Sequence, residues 1–357
     1  MPRQGPVTSF QPNRPKRLSG RGVAAVLVVS VVLSAVIGAV ALTRSQFMAS
    51  RRALVEGWRA ATPPPAETPD DERLAAILKS ARVAELQGDA GRAEAIYREA
   101  LGRYPGTASL YAAYAELLMN QRRYAEAYAQ HEKVLALGER SAGAEFAAGL
   151  SAGLAGRHDR AVEHFAAAQA LEPASAAIAL HLGQAQMATG ELDAARASLV
   201  RSLRLDEDQP VAWGMLAEIS LRQNNPAMAL QHVEKARALE PASLAWRLIE
   251  ARAHRRANDP RRALDVLAGV TEDQKHDRAV LRLMAECYGM LSRPGDAAAL
   301  YARASDASPG TAWMALEAAQ WFERAGDAES ARRYAGRAAD LGDPAADRLL
   351  QRLTSGG

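Results

Sequence analysis

One cysteine, Cys287, stands in a chain of 357 residues, so no internal disulfide holds it together. Its simplest reading is a small apolar filler inside a helix. Aromatic residues are also few, at 5 %. That scarcity suits a core of alanine and leucine helices better than a sandwich or barrel. Phosphate-binding glycine loops, metal-type cysteine pairs and a Gly-x-Ser-x-Gly nucleophile motif all read as missing. The seven histidines are scattered. His158 and His164 stand six apart, off any one helical face. No cofactor, no metal and no enzyme activity are expected. Acid is missing from one end only. Residues 1–60 carry nine basic residues against Glu56 alone, a balance of +8, which leaves −5 on the rest of the chain. A mildly acidic body argues against a general nucleic-acid role.

What the chain does have is a period. Ala93, Ala127, Ala161, Ala195, Ala229, Ala263, Ala297 and Ala331 stand 34 residues apart. A small-residue column keeps the same step: Ala81, Ala115, Gly149, Gly183, Ala217, Ala251, Ala285, Ala319. A bulkier column runs Tyr97, His131, Phe165, Leu199, Val233, Leu267, Tyr301, with Ala335 breaking it. A second small or β-branched column runs from Ala100 and Val134 to Ala304 and Ala338. A turn column reads Gly88, Arg122, Gly156, Gly190, Asn224, Asn258, Ser292, Gly326, mostly residues that tolerate a left-handed backbone. Pro105, Pro173, Pro241 and Pro309 close alternate units, where a second helix must stop. Such a period is the signature of stacked helix–turn–helix units, none of which buries its apolar face alone.

The pattern resembles the tetratricopeptide repeat family. The fifth unit carries it in Trp213, Leu216, Ala217, Ala229, Ala236 and Pro241. The third carries it in Gly149, Gly156, Ala161, Phe165, Ala168 and Pro173, and the seventh in Ala285, Tyr288, Ala297, Tyr301, Ala304 and Pro309. The second and sixth units depart from it, with Glu139 and Lys275 at the proline position. The resemblance implies an all-α fold: a right-handed superhelical solenoid of about eight repeats over 74–343, closed by a capping helix and tail at 344–357.

Ahead of the repeats, residues 1–21 read as a basic, proline-rich disordered tail. Residues 22–43 contain no charge. As a helix they would extend about 33 Å, enough to cross a hydrocarbon core. The alternative is a cleaved secretory signal processed at Ala39-Val40-Ala41, but the apolar run is longer than a signal core. Ser30, Ser34 and Gly38 make a small-residue stripe in the span, read first as lipid-facing. Residues 44–73 form a juxtamembrane segment and linker with Pro63, Pro64, Pro65 and Pro69. Basic residues number five before the span and four after it, which puts the N-terminus inside. The resemblance and the Ala- and Arg-heavy usage imply a bacterial source, so the chain is expected as a single-pass protein of a bacterial inner membrane with its array periplasmic. The alternative leaves the array cytoplasmic.

The resemblance implies a concave groove lined by the first helix of each unit, able to hold an extended peptide or a partner helix. Its column would read Arg82, Glu116, Leu150, Gln184, Glu218, Arg252, Glu286, Gln320. One turn further come Met187, Leu221, Arg222, Arg255 and Arg256. The arginines, which pair well with carboxylates, form a candidate site for an acidic or C-terminal segment of a partner protein. The competing reading is a solvated charged face, partly neutralised by Glu250 and Glu218. Some family members grip a terminal carboxylate with groove Lys and Asn, but Ala112, Phe146, Leu180 and Gly214 occupy the positions needed. The function expected is that of a membrane-tethered scaffold or adaptor in assembly of an envelope complex. The alternative is a non-catalytic accessory subunit of a membrane enzyme or biogenesis machinery.

Overall fold

The 34-residue period becomes a stack of helical hairpins. The structure, a computed structural model, describes residues 69–355, and among them there is no strand. The predicted span at 22–43 and its flanks lie outside the described residues. Among the described residues, no helix is long and apolar enough to cross a membrane.

Among the described residues, seventeen α-helices follow one another. They are α1 (Asp71–Leu86), α2 (Ala90–Arg103), α3 (Ala108–Asn120), α4 (Tyr124–Ala136), α5 (Ala142–Leu154), α6 (His158–Leu171), α7 (Ala176–Thr189) and α8 (Leu192–Leu205). Then come α9 (Pro210–Arg222), α10 (Pro226–Leu239), α11 (Leu244–Arg256), α12 (Pro260–Ala268), α13 (Arg278–Met290), α14 (Pro294–Ala307), α15 (Ala312–Ala325), α16 (Ala328–Asp340) and α17 (Pro344–Ser355). The first sixteen make eight hairpins. Each helix packs on the next in sequence, and along most of the stack a first helix also touches the first helix of the following unit.

Local chemistry sets the ends. Asp70 caps α1 by accepting from the Arg73 amide at 2.7 Å, and Asp89, Ser141, Asn225, Asp259 and Asp327 do the same for later helices. Proline opens α9, α10, α12, α14 and α17, where its missing N–H costs nothing. Within the hairpins the chain turns through a left-handed residue. All eight members of the turn column have positive φ, from 56° at Asn224 and Ser292 to 88° at Gly190. Arg122 at 60° and Ser292 at 56° adopt it without glycine's freedom.

The columns are the core. All eight alanines from Ala93 to Ala331 are 0 % exposed. Every member of the small and bulky columns is buried too. The two meet within each hairpin. A Cβ on Gly149 would stand 2.8 Å from two ring carbons of Phe165, and one on Gly183 would stand 2.8 Å from Leu199 Cγ. Small residues therefore sit where the bulky partner leaves no room.

The sixth unit, one of the two that depart from the family pattern, is also irregular in shape. Its second helix, α12, has 9 residues, and a 3₁₀ turn at Glu272–His276 leads to α13. Lys275 lies in that turn, at the position where the odd-numbered units have a proline after a full helix. The second unit ends instead on left-handed Gly138. After the eighth unit, α17 lays Ala346 and Leu349 against α16 and α15. Burying a leucine such as Leu349 contributes about 1.5–3 kcal/mol. Buried side chains fall into several clusters, and the most extensive runs from Leu281 to Leu349.

Candidate functional site

The first helices α5, α7, α9, α11 and α13 carry the groove residues expected from sequence, and two openings lie among them. One, of about 560 Å³, lies between α11 and α13. Arg252 and Arg255 line it from α11, Arg278, Arg282 and Glu286 from α13, and Leu248 and Leu283 give it an apolar wall. Arg252 reaches back to Glu218 of α9 through two hydrogen bonds, at 2.9 and 3.2 Å. Arg255 pairs with Glu286, which also accepts from Arg282 Nε at 3.0 Å. Arg278 lies over the Trp313 ring, 5.0 Å from its centroid, and has no carboxylate partner among the described residues. Three of the four guanidinium groups thus share two carboxylates, and the fourth has none. Arg282 is open, its side chain 77 % exposed.

The other predicted residues separate. Leu150 and Gln184 line the second opening, between α5 and α7. Met187 packs against the buried cluster that includes Leu199 and Leu216, and its carbonyl accepts from Arg222 Nη1 at 3.4 Å. Arg222 also stands 3.6 Å from Glu218. Arg256 is spent on the Leu221 carbonyl, at 2.7 Å. Leu221 does not line the groove. It is 1 % exposed and packs with Ala229 and Ala253. The physical reason is helical spacing: Leu221 lies four residues beyond buried Ala217 and follows it into the core, whereas Arg222 lies four beyond Glu218 on the open face. Glu250 takes no part in the groove, because it pairs with Arg237 of α10.

Sequence reasoning passed over Arg278 and Arg282. A signal for Arg282 existed. The column Ala112, Phe146, Leu180, Gly214 continues through Leu248 to Arg282, so the basic residue absent early in the array appears late in it. Gly214 itself serves packing. A Cβ there would fall 2.0 Å from Trp246 Cζ3.

Also passed over is the pattern Gly149-Leu150-Ser151-Ala152-Gly153, which spells the Gly-x-Ser-x-Gly arrangement of a nucleophile elbow. An elbow needs a strand-to-helix turn, and here the whole stretch lies inside α5. Ser151 is 0 % exposed. Its hydroxyl donates to the Ala148 carbonyl at 2.9 Å and accepts from His131 Nδ1 at 3.0 Å. Burial holds the His131 imidazole down at about 4, with His164 adding to the effect. Cys287 is buried, and burial pushes its thiol up to about 11. Among the described residues no group of His, Cys, Asp and Glu has the spacing to hold a metal ion. His164 sits between two carboxylates, with Nδ1 2.8 Å from buried Glu145 and Nε2 3.2 Å from Glu132, and so links α4, α5 and α6.

Comparison with known proteins points the same way as the columns. Residues 154–219 and 220–287 match a family model described as tetratricopeptide repeat. No curated protein matches the chain. Among solved structures, PilW, a widely conserved type IV pilus biogenesis factor, is 18 % identical with a TM-score of 0.51, over 59 % of this chain and 97 % of that one. Pseudomonas aeruginosa PilF is 20 % identical with a TM-score of 0.49, over 60 % of this chain and 98 % of its own. YrrB, described as a repeat protein of this kind with an unusual peptide-binding site, is 19 % identical with a TM-score of 0.45, over 48 % and 88 %. At these identities the likeness is one of fold.

Proposed function

We propose, from the premise that this chain is a tetratricopeptide-repeat protein, that it is a scaffold or adaptor whose first-helix face captures an acidic, extended segment of a partner protein. The observation that carries this is the cleft between α11 and α13, where four guanidinium groups face two carboxylates. Two positive charges are left over in a body that is otherwise acidic. Guanidinium groups offer paired donors to a carboxylate, and the apolar wall of Leu248 and Leu283 strengthens such bonds by keeping water at a distance.

The adaptor is tethered, in this reading, by the uncharged stretch 22–43 to a bacterial inner membrane, with the array on the periplasmic side. Tethering raises the effective concentration of the captured partner at the bilayer. Protease added to spheroplasts tests the placement: loss of the array supports it, and protection until lysis moves the array to the cytoplasm.

Capture is tested with a fluorescent peptide rich in aspartate and glutamate, titrated against the full-length chain. The variant Arg278→Gln/Arg282→Gln is the right probe. Arg252 and Arg255 hold ion pairs between units, so their reversal would disturb the stack as well as the cleft. The double variant should weaken binding about tenfold or more and flatten its dependence on salt. Equal affinity for variant and parent would sink the reading.

A further inference from the structure

The second opening on the first-helix face has a different chemistry. It lies between α5 and α7, encloses about 290 Å³, and has Phe165 and Ala161 of α6 as its floor. Leu150 and Leu154 make one wall, His181, Gln184 and Ala188 the other, and no Asp, Glu, Lys or Arg lines it. Two glycines shape it. Gly149 lets the Phe165 ring lie flush against α5. Gly153, one turn on, keeps the mouth open, because a Cβ there would meet only Ala161 Cβ at 3.6 Å. His181 stacks on Phe165 with centroids 5.6 Å apart, and burial keeps its imidazole below the ordinary range and neutral. Leu154 stands at the rim, 54 % exposed.

We infer that this opening anchors one bulky apolar side chain, aromatic or leucine-like, of the same partner segment whose acidic residues enter the basic cleft. The inference rests on the reading proposed above and adds a second point of recognition. Size fits one side chain: apolar cavities of about 150 Å³ already hold benzene, so the space here takes an indole or a leucine and little more. Chemistry fits as well, since an apolar-walled recess whose polar lining is His158, His181 and Gln184 favours an apolar guest. Position completes the argument. Both openings lie between consecutive first helices, and three helix-to-helix steps separate them. At about 8–10 Å per step the span is about 24–30 Å. An extended chain covers that in about seven to nine residues. The recognised segment therefore has an apolar anchor and an acidic cluster about eight residues apart.

The test is selection from a random 16-residue peptide library on the full-length chain, in parallel with Gly153→Leu and with Arg278→Gln/Arg282→Gln. Leu at 153 fills the recess from α5 without a backbone clash, and Gly153→Ala, which should melt no lower than the parent and leave the recess open, serves as the folding control. The parent should enrich peptides with an apolar residue about eight positions from an acidic cluster. For one such peptide, Gly153→Leu should weaken binding at least tenfold, while a peptide whose anchor is changed to Ala should bind parent and variant alike. Acidic peptides with no anchor preference, unmoved by Gly153→Leu, would overturn the anchor and leave the basic cleft standing. Apolar peptides without acid, unmoved by the arginine variant, would overturn the basic cleft and the two-point segment with it.

Discussion

Gly214→Ala isolates a contact between units that composition alone would never flag. The substitution adds one methyl group inside α9, where alanine is favoured over glycine by about 1 kcal/mol. Its neighbour is Trp246 of α11. The new Cβ would lie 2.0 Å from Cζ3 and 2.5 Å from Cη2 of that indole. An ordinary contact begins at 3.4 Å, so the ring must retreat by about 1.4 Å. Its freedom is limited by the bond from Nε1 to Glu240 at 2.9 Å. Overpacking of this kind costs about 1–3 kcal/mol. The helical gain offsets part of it, leaving a net loss of up to about 2 kcal/mol. Urea unfolding followed by far-ultraviolet circular dichroism reads this as a lower midpoint. The decisive arm is Trp246→Leu, in which the clash is gone. There, Gly214→Ala should turn stabilising by about 1 kcal/mol, a coupling that a double-mutant cycle measures directly. If Gly214→Ala stabilises the parent, the glycine is not there to seat Trp246, and the account of that joint is wrong.

Three further outcomes follow from the geometry. Ser292→Gly and Arg122→Gly should each raise stability by about 0.5–1 kcal/mol, because glycine relieves a left-handed backbone at 56° and 60°; a lower melting point for both would refute this. His131 has a folded value near 4 and an unfolded value near 6.5, so the unfolded chain binds the extra proton between them. Its contribution is full above pH 6.5 and is lost as pH falls towards 4, about 3 kcal/mol in all; His131→Leu should flatten that stretch of the stability curve measured against pH. His164→Phe leaves the Glu145 carboxylate buried beside a ring that offers it no donor. It should cost about 2–4 kcal/mol, more than Glu145→Gln, and thermal melting of the two variants would show the order.

The fold was legible because each structural demand recurs every 34 residues. Close helix crossing requires Ala or Gly, the hairpin turn requires a residue that accepts positive φ, and eight repetitions raise both above the composition. Arg122 and Ser292 fill turn positions without the usual residue type, and only their place in the column marks them. The face was less legible. Its open residues lie four apart, as Leu150 and Leu154 do, and the next residue back belongs to the core, which is why Leu221 and Arg222 part company. Ion-pair choice was not legible at all. An arginine reaches several neighbours, so spacing does not say that Arg252 turns to Glu218 while Arg278 turns to Trp313. The second opening escaped because an empty space is made by what glycine lacks, and no residue type announces it.

The division of the buried side chains into clusters bears on the life of the chain before it is complete. Each cluster joins neighbours in sequence, so a hairpin leaving the ribosome can close on the one before it without waiting for the far end. The most extensive cluster, from Leu281 to Leu349, is synthesised after the others. The growing array therefore stays open to unzipping until those units lock, and amide exchange should run slowest there and faster toward α1.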